Sequence, residues 1–286
     1  MSAATTTPAS RPGVTPRRAT EHPGHAASQP RTRGERTAYV RLELRRILRD
    51  LVTLFFVVGL PGFMYVLFGA SAGYSQQEAG NGNVALYVMI SMAAYGAVTA
   101  TVGIGGSAAV ERMQGWGRQL GLTPLGDGTY VATKAVVALV VATLPIVVVY
   151  VLGLLTGAEG TVTAWLGSAA ILVVGAVMFA LYGLIFGLAF RSEAAVSAAS
   201  GSLVVLGFLG NIFFPLSGFL LELARFTPLY GYVSLARYPL TGGDVIDSEG
   251  GLVHEALWMS VTNVAVWTVI FAVLATWLVR RSRGRQ

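Results

Sequence analysis

The sequence predicts an all-α membrane protein with six transmembrane helices, an N-terminal amphipathic helix at the membrane interface, and re-entrant external helices before the last span. Two observations lead to this prediction. Of the 286 residues, 54% are hydrophobic and only 12% are charged, which is about half the charged fraction of a soluble domain. The few charges are also unevenly spaced. These features exclude a large water-soluble enzyme, and they exclude a wholly disordered chain because disorder requires low hydrophobicity.

Six stretches without a charged side chain define the predicted spans. Each stretch is at least 24 residues long, whereas about 20 apolar residues are enough to cross the hydrocarbon core. Buried helices of a soluble protein would need polar, amphipathic helices to cover them, and none remain for that purpose. The predicted transmembrane helices cover residues 51–70, 84–110, 132–155, 162–190, 195–214 and 256–279.

The distribution of arginine predicts the orientation. An even number of spans places both termini on one side, and 18 of the 20 basic residues then fall on that side. Only Arg225 and Arg237 fall on the other side. Because basic residues are enriched in cytoplasmic segments, we expect a multi-pass protein of the cell membrane with both termini in the cytoplasm. The net charge of +6 then reflects topology and does not indicate nucleic-acid binding.

The chain before the first span has two parts. Residues 1–34 are predicted to be a disordered, Arg/Pro-rich cytoplasmic tail, without the apolar segment of a cleavable signal peptide. Residues 35–286 form the second predicted domain, which contains the six helices. At its start, apolar residues in 35–50 recur at helical spacing, and arginines occupy the other faces. This pattern predicts a basic amphipathic helix that lies in the cytoplasmic interface and leads into the first span.

The predicted cytoplasmic loop after the second span combines charge with an aromatic residue. Trp116 and Leu120 are four residues apart, and Arg112 and Arg118 lie nearby. A short helix of this kind can dock into a groove of a partner protein. Alternatively, Trp116 anchors the loop at the membrane interface while the charges solvate a turn. The residues by themselves leave both interpretations open.

The segment after the fifth span is too apolar for an ordinary external loop and too interrupted for a straight helix. The interruptions are Asn211, Pro215, Ser217 and Gly218, and an apolar run then leads to Pro228. Irregular backbone at membrane depth must remain hydrogen-bonded within the protein. The segment is therefore expected to dip back into the outer face as a helix or to lie in the outer interface. An external loop with aromatic anchors is the alternative.

Glycines within the spans predict close helix packing. Two pairs have the four-residue spacing that lets helices approach each other, Gly153 with Gly157 and Gly183 with Gly187. Three further glycines lie inside one apolar run and not after a strand, so packing is favoured over a dinucleotide-binding loop. They are Gly103, Gly105 and Gly106.

The sequence lacks recognisable catalytic and metal-binding motifs. It has no cysteine and only three histidines, so a thiolate or histidine metal site is not expected. The residues around the one lysine, Lys134, do not form a phosphate-binding P-loop. The segment 242–255, with Asp244, Asp247, Glu249 and Glu255, is predicted to be an exposed acidic loop, and its spacing does not match a calcium-binding EF-hand. We therefore expect no catalytic residues and no metal site in this chain.

Four segments form a recognisable pattern. The first runs from Glu111 to Leu125 as Glu-Arg-x-x-Gly-Trp-x-x-x-Leu-x-x-Thr-Pro-Leu, directly after the second span. The others are Pro-Leu-Ser-Gly at 215–218, Thr-Pro-Leu-Tyr at 227–230 and Trp-Leu-Val-Arg-Arg at 277–281. In this order among six spans, they resemble the permease subunit of type-2 ATP-binding-cassette (ABC) exporters. The resemblance covers residues 35–286, and the arginine-rich tail departs from the family pattern.

The resemblance implies partners and site residues. Such permeases form dimers, and each copy docks a cytoplasmic ATPase that binds ATP and Mg²⁺, so no cofactor is expected in this chain. In the family, the loop after the second span is a coupling helix. Carried over, the residues that engage the ATPase are Glu111, Arg112, Gly115, Trp116, Arg118 and Leu120. The re-entrant external helices would shape the exit path through Asn211, Phe214, Pro215, Ser217, Gly218 and Pro228.

The function implied is that of the membrane-spanning half of an ATP-driven exporter that works by alternating access. Charged substrates are disfavoured, because no charged side chain lies deep within a predicted span. A hydrophobic or amphipathic substrate, such as a drug, an antibiotic or a lipid-like molecule, fits spans of this composition. Two other classes are the alternatives. One is a membrane scaffold or assembly protein that transports nothing. The other is an ion-coupled secondary transporter, which the absence of charged side chains deep within the predicted spans disfavours.

Overall fold

A computed structural model describes residues 41–42, 44–111, 127–190, 193–248 and 251–283. This part of the chain is a mostly helical membrane protein, as predicted. Residues 44–49 are helical, and Asp50 caps the helix that follows by accepting a hydrogen bond from the Thr53 amide at 3.1 Å. In chain order, the helices are α1 (Leu51–Ala70), α2 (Val84–Glu111), α3 (Asp127–Thr156), α4 (Val162–Gly175), α5 (Val177–Phe190), α6 (Glu193–Leu209), α7 (Gly218–Ala224), α8 (Pro228–Thr241) and α9 (Leu257–Arg283).

Two short β-hairpins, which the sequence did not reveal, lie between the helices. Strand β1 (Glu78–Ala79) pairs antiparallel with β2 (Gly82–Asn83). Strand β3 (Asp244–Ile246) pairs antiparallel with β4 (Leu252–His254), with Val245 opposite Val253. Each strand has only two or three residues, which is too short for an alternating pattern to stand out in the sequence.

Five of the described helices are long and apolar enough to cross a membrane. They cover Leu51–Ala70, Val84–Glu111, Val136–Thr156, Val162–Phe190 and Leu257–Arg281, and they coincide with five predicted spans. The span over 162–190 is divided at Ala176 into α4 and α5.

The remaining predicted span, over 195–214, differs from the structure. Its counterpart α6 has 17 residues, which correspond to about 25 Å of helix, whereas the hydrocarbon core is about 30 Å thick. The helix ends at Leu209, because Asn211 has a left-handed backbone conformation with φ of 54° that cannot continue a right-handed helix. The regular helix is therefore five residues shorter than predicted at this end.

Helix α2 is the central helix of the described structure. In its most apolar window, 83% of the residues are buried, compared with 11% for α9 and 22% for α1. It packs against α1, α3, α5 and α6. A helix that is apolar on all sides is expected at such a position, and the outer helices are left with apolar faces of the kind that lipid covers.

Glycines bring α2 and α5 into close contact. A side chain at Gly105 would overlap the carbonyl oxygen of Ala180, and one at Gly183 would overlap that of Val102. The packing role predicted for Gly105, and for the pair Gly183 and Gly187, is thus confirmed, since a side chain at Gly187 would also overlap the backbone of α2 at Gly106. Helices that approach this closely gain dispersion contacts along their backbones.

The packing predictions for two other glycines were wrong. Gly103 has no neighbouring atom within 4 Å of the position where a Cβ would lie. Gly157 adopts φ of 89° in the turn after α3, and its carbonyl accepts a hydrogen bond from Asn83 at 2.9 Å. Only Gly153 of that pair packs, against Met89. The spacing in the sequence could not distinguish a helix-packing glycine from a turn glycine.

The loops gather at two ends, which we name by their charges. At the acidic end, the loops 71–83 and 157–161 lie together with residues 210–248 and 251–256. The Asn81 amide donates to Leu240 O at 2.7 Å, and the Thr161 amide donates to Asn81 O at 2.9 Å. The basic end consists of residues 44–50, Glu111 and Lys134. These two ends contain the charged clusters of the described structure.

Candidate functional site

At the basic end, Glu111 connects three helical segments. Lys134 Nζ on α3 lies 2.9 Å from Glu111 Oε2 and 3.1 Å from Oε1. Arg46 Nη1, in the helical segment before α1, lies 3.8 Å from Oε1. Lys134 is only 6% exposed, so its charge requires a nearby carboxylate. We call these three residues the Glu111 cluster.

The Glu111 cluster lies at the base of the predicted coupling loop. Helix α2 ends at Glu111 and α3 begins at Asp127, so the ion pair joins the two helices that the loop connects. The other predicted coupling residues lie outside the described residues, and their role stays a prediction. They are Arg112, Gly115, Trp116, Arg118 and Leu120.

The residues predicted to shape the exit path do not share one surface. Asn211 and Pro228 are buried, whereas Phe214, Pro215 and Gly218 are exposed. The Phe214 ring stacks on Phe208, with centroids 6.2 Å apart. Ser217 precedes α7, and its hydroxyl lies 2.5 Å from that of Ser248. Of these residues, only Asn211 lines the cavity described below, and the exit-path role of the set stays a prediction.

Glu255 is the centre of a buried polar network at the acidic end. It was predicted to lie in an exposed acidic loop, but it is only 3% exposed. Its Oε1 accepts hydrogen bonds from Arg225 Nε at 2.7 Å and from Tyr230 OH at 2.6 Å, and its Oε2 accepts one from Ser234 Oγ at 3.3 Å. The prediction failed because α8 and the turn before it lie against this residue and supply its donors.

The same network affects the pKa values of its members. Burial lowers the pKa of Arg225, but the hydrogen bond and charge of Glu255, and then those of Glu222, outweigh it and raise the pKa. Burial, followed by the hydrogen bond to the carboxylate, raises the pKa of Tyr230. Arg225 therefore stays charged, and Tyr230 stays a donor, over the physiological pH range.

A polar face on α9 holds the turn between α7 and α8. Asn263 Nδ2 donates to Arg225 O at 2.7 Å and to Thr227 O at 3.2 Å. Trp267 Nε1 donates to Phe226 O at 2.9 Å. These carbonyls follow the last turn of α7 and have no partners within that helix. The last predicted span thus provides the hydrogen bonds that keep α7 and α8 in place.

Arg237, on α8, is a second buried charge at the acidic end and is only 5% exposed. Its guanidinium carbon lies 3.9 Å from the centre of the Tyr87 ring. Nε and Nη2 donate to Ser91 Oγ at 3.0 and 2.5 Å, and Nη2 donates to Asn211 O at 2.8 Å. Within the described residues, no carboxylate forms an ion pair with it. Burial lowers the pKa of Arg237, although an arginine in a protein remains protonated.

A small, partly open cavity lies beside Arg237. The residues around it include Tyr87, Asn211, Ser234 and Asp244. It has room for about one water molecule, which is far less than the pocket of a drug-sized ligand. Across the described ranges, no cluster of three or more His, Asp or Glu side chains could hold a metal ion.

Sequence reasoning missed Arg237 and Glu255 as structural centres, although one signal was available. Tyr230, Ser234 and Arg237 recur at spacings of four and three residues in a segment that is otherwise largely apolar. This spacing places them on one side of a helix. A polar stripe on an apolar helix indicates that the stripe faces protein, because lipid would leave its polar groups unsatisfied.

The described structure and one comparison define the class of protein. No family model matches the sequence. The chain is 22% identical over 248 residues to the protein named "Putative transport permease YvfS" of Bacillus subtilis (strain 168), and the match covers 85% of this chain and 96% of that protein. Together with the five apolar helices, this similarity indicates a multi-pass membrane protein and a component of membrane transport.

Proposed function

We propose that this chain is the membrane-spanning subunit of a type-2 ABC exporter, which moves a hydrophobic or amphipathic substrate out of the cell. Two findings support the proposal. The four motif segments occur in the family's order between 111 and 281. The similarity to a transport permease also extends over 96% of that protein's length, so it reflects the whole membrane domain and not one apolar helix.

The proposed topology has six crossings. In it, α6 is the fifth span. Its 17 residues are shorter than the hydrocarbon core, and the turn at 210–214 crosses the remaining thickness. Both termini are then cytoplasmic, which places the basic end in the cytoplasm in agreement with the distribution of arginine. Helices α7 and α8 then belong to the outer face as the re-entrant pair. The fixed contacts of their turn with Asn263 and Trp267 are what short helices at membrane depth require.

The Glu111 cluster supports a route for coupling. In the proposal, the loop 112–126 docks on a separate ATPase, which binds ATP and Mg²⁺. A displacement of this loop would move Glu111. The ion pair with Lys134 would pass the movement to α3, and the ion pair with Arg46 would pass it to the segment before α1. Because α2 is packed on all sides, its movement would carry neighbouring helices with it. Two copies of the permease would rock against each other to alternate access.

The proposed substrate is a drug, an antibiotic or a lipid-like molecule. The five candidate spans have mean hydropathies from 1.6 to 2.7. Such surfaces favour apolar molecules, because they offer little to compensate the desolvation of a charge.

ATP-driven transport in vesicles tests the proposal. The chain is reconstituted with the ABC ATPase encoded nearest to its gene, and efflux of a panel of amphipathic dyes is followed with and without ATP. Trp116→Ala is expected to abolish both ATPase binding and ATP-driven efflux. Trp258→Ala is the matched control, because Trp258 is exposed at the start of α9 at the opposite end, and it is expected to change neither.

Other results would favour the alternative functions. Transport that requires an ion gradient, and that persists without an ATPase, would indicate a secondary transporter. A chain that binds partners but moves no substrate, with efflux indifferent to the loop 112–126, would indicate a scaffold. Either result would overturn the proposal.

A further inference from the structure

We infer that Arg41, Arg45 and Arg49, at the start of the described structure, form a binding surface for the anionic headgroups of membrane lipids. We call these three residues the arginine face. The inference goes beyond the proposed export function, because it depends on the geometry of one helical segment and on the apolar helix that follows it. It can therefore be tested whether or not the chain is an exporter.

The first support is the orientation of the helical segment that precedes α1. Leu44 and Ile47 are partly buried and pack against a cluster of buried apolar side chains from α1, α2 and α3. Arg41, Arg45 and Arg49 are exposed, and their spacing of four residues places them on one side of a helix. One side of the segment is thus in contact with the protein, and the arginine face is left on the outside.

The contrast with Arg46 makes this exposure informative. Arg46 belongs to the same segment, and its Nη1 lies 3.8 Å from Glu111 Oε1. Among the described residues, no carboxylate lies within 4 Å of the arginine face. Asp50 follows it directly, but its two oxygen atoms accept hydrogen bonds from the Thr53 amide and hydroxyl at 3.1 and 2.6 Å. The described structure therefore leaves the three charges of the arginine face open to an anionic partner.

The second support is the exposed apolar surface beside the arginine face. Leu42 is 65% exposed, Leu48 is 49% exposed and Leu51 is 77% exposed, and they lie next to Arg41 and Arg49 in the chain. A soluble partner would have to cover both the leucines and the arginines. At the boundary between lipid headgroups and acyl chains, however, leucine side chains enter the apolar region while arginine side chains reach the phosphates. This combination favours a bilayer surface over a soluble anion.

The third support is the short distance along the chain to a candidate membrane span. Only Asp50 separates Arg49 from the helix Leu51–Ala70, which is long and apolar enough to cross a membrane. When that helix spans the bilayer, the arginine face lies at the level of the headgroups. A guanidinium group binds phosphate oxygen atoms with two parallel hydrogen bonds, and basic clusters next to a span attract anionic lipids. The expected ligand is therefore the headgroup of an anionic phospholipid.

Lipid binding by the full chain in neutral detergent tests the arginine face. The chain is titrated with phosphatidylglycerol in one arm and with phosphatidylcholine in the other, and native mass spectrometry counts the lipids bound to each chain. We expect a higher apparent affinity for phosphatidylglycerol, because only this lipid carries a net negative charge. Thermal unfolding provides a second measurement, since a ligand that binds the folded state raises the unfolding midpoint.

Two triple variants connect the preference to these residues. Substitution of all three residues of the arginine face by glutamine should weaken phosphatidylglycerol binding at least tenfold and leave phosphatidylcholine binding unchanged. The matched control combines Arg11→Gln, Arg17→Gln and Arg18→Gln, which removes the same charge from the predicted tail, and it should bind both lipids as the wild-type chain does. If the first variant does not fold, Arg45→Gln decides, with an expected loss of about fivefold.

Several results would overturn the inference. One is a wild-type chain that binds the two lipids equally well. Another is an equal loss in both triple variants, because total charge and not the arginine face would then attract the lipid. An unchanged affinity in Arg45→Gln, where that variant decides, has the same consequence. A single-stranded oligonucleotide is the last probe, and if it binds more tightly than phosphatidylglycerol and only through the arginine face, the partner is a nucleic acid and not a membrane.

Discussion

The two ends of this protein use buried charges in different ways. At the basic end, Glu111 connects Lys134 and Arg46, which belong to separate helical segments at the base of a loop. At the acidic end, Glu255 accepts three side-chain hydrogen bonds from α8 and the turn before it, while Arg237 has no carboxylate partner in the described structure. The acidic end thus contains a self-contained network, whereas the basic end connects separate elements.

This difference indicates what each end can do. A network whose donors meet at one buried carboxylate resists rearrangement, because a lost bond leaves a buried group unsatisfied. The Glu111 cluster has one buried and one exposed cation, so Glu111 can exchange a partner more easily. The Arg46 side chain is 76% exposed, and solvent can replace it. Movement is therefore expected to begin at the basic end.

The largest expected effect comes from removing the centre of the acidic network. Glu255→Ala leaves Arg225, Tyr230 and Ser234 without their common acceptor, and we expect the free energy of unfolding to fall by about 3–5 kcal/mol. The measurement is denaturant unfolding in detergent micelles.

Glu222→Ala is the matched control for this prediction. Glu222 binds the same arginine, but its side chain is 64% exposed, so a loss of less than about 1 kcal/mol is expected. Equal effects of the two variants would show that Glu255 is not the centre of the acidic end.

The next effect concerns α2, which extends between the two ends. Gly105→Ala would place a methyl group on the Ala180 carbonyl and is expected to cost about 2–3 kcal/mol through separation of α2 from α5. Gly103→Ala has open space around it and should stabilise the helix by up to about 1 kcal/mol.

Thermal or denaturant unfolding of both glycine variants provides the comparison. Combining Gly105→Ala with Glu255→Ala then tests whether the central helix and the acidic network are independent. Additive losses would indicate independence, whereas a coupling above about 0.5 kcal/mol would show that they respond as one unit.

The smallest expected effects lie at the basic end. Lys134→Ala removes the buried partner of Glu111, which retains Arg46, and a loss of about 1–2 kcal/mol is expected. Arg46→Ala removes only the exposed partner and should cost less than about 1 kcal/mol. If Arg46→Ala were the more damaging of the two in unfolding experiments, the interpretation of Lys134 as the anchor of the Glu111 cluster would be wrong.

The charge pattern was sufficient to locate five apolar helices, because a membrane span requires a long uncharged stretch that few other structures need. The same pattern overestimated α6. An uncharged stretch continues through Asn211 and Phe214, but the left-handed backbone at Asn211 stops the helix, and backbone conformation at an asparagine cannot be deduced from hydropathy.

The candidate site was less accessible to sequence reasoning than the spans. Arg237 and Glu255 contributed to the predicted topology only as two charges on the outer side, because a side chain near the predicted end of an apolar segment is usually solvated. Their burial follows from α8 packing against α2, α4 and α9, which are contacts between residues far apart in the chain. The stripe from Tyr230 to Arg237 can be recognised in the sequence, but its partners Ser91 and Glu255 cannot.

By itself, the sequence determined that this is a helical membrane protein and where most of its apolar helices lie, since these properties depend on composition along one segment at a time. Only the tertiary structure decided which charges are paired, which glycines pack and which amide atoms remain unpartnered. Those outcomes depend on distances between segments, such as the 2.8 Å from Arg237 Nη2 to Asn211 O. Because a buried polar group is stable only with a partner, and its partners lie on other segments, the composition of one segment could not decide them.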